Sequence, residues 1–187
     1  QLPRPAWAAL QRRDVGDWFE VAEIEPGVWA LYEPWQWQEV ISYLIVGRDS
    51  ALLFDTGNGI GDMRSAVRAI TDRPLRVLNS HSHYDHVGGN HQFTTILAPA
   101  TDFSRQSAAG LPPGAVAEEV SAEALCRDLP AGVIGKEHRV RPYEITGAVS
   151  DGEVIDLGGI AVEVVMLPGH TPDALGLLDR ERGYFWS

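Results

Sequence analysis

The stretch NSHSHYDHVGGN, residues 79–90, places His81, His83 and His86 around Asp85, so three of the chain's six histidines fall within six positions. Imidazole nitrogens and carboxylate oxygens are ligands for Zn²⁺ above all, with Mn²⁺ and Fe²⁺ also compatible. His81 and His83 are two apart at the end of a short apolar run, LRVLNS. Side chains at i and i+2 of an extended segment share a face, so both rings can converge on one ion. Asp85 and His86 follow in the turn and can reach a second ion on the other side. Val87-Gly88-Gly89 lets the backbone fold tightly around such a site. The alternative is a surface turn that happens to be His-rich. The scarcity of histidine elsewhere and the demanding H-x-H-x-D-H spacing weigh against it.

Of the remaining histidines, His170 has the better placement. It follows the apolar run VEVVML and the turn Pro168-Gly169, where a side chain projects from a sheet edge, and Thr171-Pro172 set the exit direction. His91 lies beyond the glycine turn, on the next helix, and is expected not to be a ligand. His138, between Glu137 and Arg139, is expected in solvent. Cys126 is the only cysteine, which rules out a disulfide framework or a Cys-rich zinc knuckle. It falls in a stretch with helical character and is expected as buried packing.

The elements that must position these residues follow from periodicity. FEVAEIEPGVWALYE, EVISYLIVG and SALLFDTG predict strands, broken at Pro26-Gly27 and at residues 47–50. MRSAVRAIT has helical spacing, with Met63, Ala66, Val67 and Ile70 on one face. ATDFSRQSAAG and AVAEEVSAEALCRDL predict helices split by Pro112-Pro113-Gly114. Strands resume from residue 143, with hairpin turns at Asp151-Gly152 and Gly158-Gly159, and two more flank a turn at residues 180–183. This order predicts a layered α/β architecture. Residues 1–187 are expected as one domain with an N-terminal arm over residues 1–23, the first fourteen of them loose.

A net charge of −11 and a single lysine, Lys136, argue against a nucleic-acid surface, which needs clustered Lys and Arg. No apolar run has the length of a membrane span. No signal peptide is visible, so a cytoplasmic location is favoured; a chain opening on Gln1 leaves a secreted or periplasmic one open. Oligomeric state is not legible.

LLFDTG, HSHYDH and PGHTPD together resemble the metallo-β-lactamase superfamily, and the resemblance runs from about Ile24 to the end. It implies an αββα sandwich with two metals at one edge of two facing sheets. His81, His83 and His170 would hold the first ion, and Asp85 and His86 the second. Asp55 would be a supporting carboxylate that orients the histidine loop, its other reading being a plain strand-end turn; Thr171 is placed beside it as a support. The family pattern also expects a bridging Asp and a last His after a strand like GYFWS, but this sequence stops at Ser187. Asp173 and Asp179 are too close to His170 for that role and are expected to cap turns or face solvent. The expectation is therefore a fold incomplete at its C-terminus, continued in a longer functional protein.

The chemistry that follows is hydrolytic. Two divalent ions about 3.5–4 Å apart share a water and lower its pKa toward roughly 7, while one polarises the substrate oxygen. Asp85 can accept a proton as well as ligate. Trp35 and Trp37, in YEPWQWQEV, either form an apolar lip for a substrate acyl chain or ring, or pack on neighbouring loops. The expected substrate is a small ester, thioester, lactone or β-lactam. The alternatives are a metal-binding or degenerate domain without turnover and, disfavoured by the acidic balance, a phosphodiesterase or nuclease.

Overall fold

The run ALLF, β5 (Ala51–Phe54), is apolar at every position because both of its faces are covered. In the computed structural model, which describes residues 10–187, Ala51 and Leu53 enter one apolar cluster while Leu52 and Phe54 enter another. The same alternation splits Leu44 from Ile45 in β4 (Ile41–Val46) and Val77 from Leu78 in β6 (Leu75–Leu78). One sheet is thus buried on two sides.

That sheet has eight strands in chain order: β1 (Arg13–Val15), β2 (Phe19–Glu25), β3 (Val28–Tyr32), β4, β5, β6, β7 (Ile96–Pro99) and β8 (Gly147–Val149). Pairings are antiparallel from β1 to β5 and parallel from β5 to β8. On one face it packs against Met63, Ala66 and Val67 of α1 (Met63–Arg68). On the other it meets an antiparallel sheet ordered β12 (Tyr184–Trp186), β11 (Leu175–Asp179), β10 (Ala161–Met166), β9 (Val154–Asp156). Val162, Val164, Leu175, Leu177 and Trp186 fill the space between the sheets. Val154 and Phe185 stand exposed on the second sheet. The layers are those of the expected sandwich, helix against sheet against sheet. No helix among the described residues is long and apolar enough to cross a membrane.

Three expectations need correction. Residues 13–23 are not an arm: β1 and β2 pair with register Val15↔Phe19, and Trp18, Phe19 and Val21 are core residues. The first nine positions lie outside the described residues. Secondly, residues 115–129 do not form a helix despite favourable composition. Only a 3-10 turn, Ala117–Val120, is present, because this backbone pairs instead with residues 35–37. Trp37 N donates to Ala124 O at 2.9 Å and Cys126 N to Trp35 O at 2.8 Å. Tertiary pairing has overridden local propensity, and it leaves Cys126 exposed rather than buried. Thirdly, Asp151-Gly152 is not a hairpin turn: β8 before it pairs with β7 in the first sheet, whereas β9 after it pairs with β10 in the second.

Candidate metal centre

Strands β5 and β6 run parallel with Phe54 beside Leu78, so the residues that follow them leave the sheet side by side. Asp55 sits at φ 69°, in the left-handed region that aspartate tolerates better than most residues. From there Oδ1 accepts from Ser80 N at 2.7 Å and Oδ2 from Ser80 Oγ at 2.8 Å. The same Oδ2 lies 2.8 Å from His86 Nδ1. Asp55 therefore anchors the start of the histidine loop and the ring that ends it.

Proton bookkeeping fixes the tautomers. The single Ser80 hydroxyl proton goes to Asp55, so Ser80 Oγ accepts from His81 Nδ1 at 3.2 Å. That leaves His81 Nε2 as a lone pair, and it faces His83 Nδ1 at 3.1 Å. His170 Nε2 approaches the same His83 Nδ1 at 3.1 Å. The ligand atoms of His81, His83 and His170 all lie within 4.8 Å of one another. Burial first, then the neighbouring His86, brings the His81 pKa down to about 4. Burial and then His170 lower that of His83.

Asp85 and His86 belong to α2 (Tyr84–Val87), a single turn rather than an irregular loop. With Nδ1 committed to Asp55, His86 turns Nε2 toward Asp85 Oδ2 at 3.4 Å. Burial alone would lower the His86 pKa, but Asp55 and Asp85 outweigh it and raise it to about 10. For Asp85 burial acts upward, and the bond and charge of His86 overcome it to hold the carboxyl low. The five residues named in the sequence thus fall into a three-histidine cluster and an adjoining Asp–His pair.

The glycines close the loop as expected. A Cβ on Gly88 would lie 2.4 Å from the Asn58 carbonyl carbon, a backbone contact that no rotamer relieves. Gly88→Ala is therefore expected to destabilise the fold by about 1–3 kcal/mol and to disturb the histidine loop. Denaturant unfolding of variant and wild type checks it, and an unchanged midpoint would contradict it.

The outlying residues differ from expectation in places. Asp173 is buried, not solvated: Oδ2 accepts from Ser82 Oγ at 2.5 Å and from Ser104 Oγ at 3.0 Å. It ties the His170 loop to the residue between His81 and His83, and to α3 (Asp102–Ala108). Asp179 is also buried, and caps the β11–β12 turn through Arg182 N at 2.9 Å. Thr171 is buried, and its hydroxyl makes no hydrogen bond among the described residues. His138 is buried against the Asn58 backbone rather than solvated. His91 lies in the 3-10 turn Asn90–Gln92, its Nδ1 3.1 Å from Gly88 O, away from the cluster. Trp35 packs on the first apolar cluster beneath Arg127. Trp37 is 54% exposed, with its Nε1 donating to Glu119 Oε2 at 3.0 Å. Gln38 and Glu119 lie in no motif, while Ser82 and Asp173 sit within HSHYDH and PGHTPD with nothing there to show that they meet, and only their contacts reveal all four.

The fold is that of known metallo-β-lactamases. A metallo-β-lactamase family protein of Thermus thermophilus superposes with a TM-score of 0.62 at 22% identity, over 87% of this chain and 59% of that one. A metallo-β-lactamase of Cronobacter sakazakii gives 0.60 at 22% identity, over 88% and 62%. The family model of the metallo-β-lactamase superfamily matches residues 36–184, and the chain belongs to that superfamily. Among curated proteins it is similar to the acyl-coenzyme A thioesterase MBLAC2 of Homo sapiens, 28% identical over 160 residues and 78% of this chain. It is similar also to that of Gallus gallus, 25% identical over 185 residues and 91% of the chain. The chain spans 56% of the human protein and 65% of the chicken one.

Proposed function

We propose that this protein is a metal-dependent hydrolase of small acyl substrates, with a thioester as the favoured class and zinc as the favoured metal. The observation that carries the reading is the convergence of His81, His83 and His170. Zinc–nitrogen bonds of about 2.0–2.1 Å in a tetrahedron separate two ligands by roughly 3.3 Å. The 3.1 Å spacings around His83 Nδ1 are of that size. Lone pairs this close repel unless a proton or a cation lies between them, and the tautomer imposed on His81 leaves its Nε2 without a proton of its own.

The donor set fits two ions: His81, His83 and His170 for one, Asp85 and His86 Nε2 for the other, with Asp55 holding the His86 ring. When bound, two such ions supply an activated water and polarisation of the substrate carbonyl. The chain's own residues do the rest. The Asp85 carboxylate accepts a proton, and His86 gives up the proton on Nε2 when that nitrogen ligates. Trp37 offers an exposed indole beside the site against which an acyl chain can lie. The thioester class is favoured because MBLAC2 is named as an acyl-coenzyme A thioesterase.

A panel of acyl-coenzyme A, aryl ester, lactone and β-lactam substrates tests this, with zinc-loaded protein and with chelator. Thioester cleavage that chelator abolishes is expected. Zinc uptake without turnover of any of them would instead mean a metal-binding domain.

A further inference from the structure

We propose that Glu119 is a positioning residue that fixes the Asp85 carboxylate through a directed chain of hydrogen bonds. It does so from the excursion between α3 and β8, outside every motif in the sequence. The inference rests on the assignment of Asp85 to a cation site. Glu119 accepts three bonds: from Gln36 Nε2 and Trp37 Nε1 to Oε2, each at 3.0 Å, and from Tyr84 OH to Oε1 at 2.9 Å. Gln38 Nε2 reaches both Tyr84 OH and Asp85 Oδ2, each at 3.2 Å. Gln36 is fully buried, and its Oε1 accepts from Gln38 N at 2.8 Å, which holds the base of the Gln38 side chain.

The direction of these bonds gives Glu119 its role. A carboxylate has no proton to offer, so the one proton of Tyr84 must point at it. The tyrosine oxygen then presents a lone pair to Gln38, which takes one of the two amide protons. The other amide proton is left for Asp85 Oδ2, on the oxygen that also faces His86 Nε2 at 3.4 Å. Asp85 is thereby held with one oxygen bonded and its plane set, before any cation arrives. The same carboxylate pins Trp37 at the lip, so the geometry of the cation pair and of the substrate wall share one anchor.

Glu119→Gln is the isosteric test, because it preserves volume and can keep an oxygen toward Gln36 and Trp37. Its amide nitrogen would donate to Tyr84 OH and turn the tyrosine proton toward Gln38. Gln38 would then have to flip its oxygen toward Tyr84 and lose its set bond to Asp85. Gln38→Met, at a half-buried position, removes the last donor directly and guards against misfolding of the first variant. Zinc titration of each folded protein, with unfolding midpoints measured alongside, reads the effect. The expected result is two zinc ions in the wild type, with the weaker constant lowered roughly 10- to 100-fold in both variants. The tighter constant should be unchanged, and Glu118→Gln, on the same turn, should behave as wild type. Equal constants in wild type, Glu119→Gln and Gln38→Met would overturn the inference while leaving the two-cation reading intact. A wild type that takes up fewer than two zinc ions would overturn that reading itself, and the inference with it.

Discussion

His83→Ala is expected to abolish tight zinc uptake and, with it, chelator-sensitive thioester cleavage. His83 Nδ1 is the shared neighbour of the cluster, 3.1 Å from both His81 Nε2 and His170 Nε2. Removing it leaves two nitrogens on opposite sides of a gap and only a bidentate site. The loss should exceed the roughly 10- to 100-fold in affinity that removal of a supporting residue costs. His91→Ala is the matched control: its Nδ1 is committed to Gly88 O and it stands apart from the cluster. Calorimetric titration with zinc, paired with steady-state rates, separates the two. Comparable zinc affinity in His83→Ala and His91→Ala would contradict the assignment.

Asp85→Ala should produce the second large effect, and of a different kind. The tight three-histidine constant should survive, because His81, His83 and His170 do not depend on this carboxylate for their spacing. The weaker cation should be lost, and kcat should fall by about 10²- to 10⁴-fold, the range for removing a group that handles a proton in the transition state. KM should move much less than kcat, since Trp37, proposed above as the surface for the acyl chain, is held by Glu119 rather than by Asp85. Initial rates over a range of acyl-coenzyme A concentrations read the split. Asp85→Ala and His91→Ala with equal rates would count against the role given to Asp85.

Much of this architecture was legible because its residues obey short-range rules. The β-rich runs EVISYLIVG and SALLFDTG predicted β4 and β5, and helical spacing predicted α1. The i, i+2 placement of His81 and His83 was read as a shared face of an extended segment, whereas the structure ends β6 at Leu78 and carries both rings on the loop between β6 and α2. Asp55 was legible through the resemblance, and its bonds to Ser80 and His86 give that placement a physical cause. What escaped depends on partners distant in sequence. Residues 115–129 have the composition of a helix, yet the backbone of residues 35–37 captured them. Asp173 looked like a turn residue because nothing in PGHTPD shows that Ser82 and Ser104 converge on it. Flanking charges suggested a solvated His138, whereas the fold buries it against Asn58. Gln38 and Glu119 were silent for the same reason: their chemistry lies in a chain of contacts that joins three separate segments.

The most direct test of the central claim is anomalous diffraction at the zinc edge from zinc-soaked or zinc-grown crystals of the protein. A peak is expected within about 2.0–2.1 Å of a nitrogen from each of His81, His83 and His170. A second peak is expected beside Asp85 and His86 Nε2, about 3.5–4 Å from the first. Zinc-saturated crystals with no peak among the three histidines, or with their rings turned into separate regions, would contradict the claim.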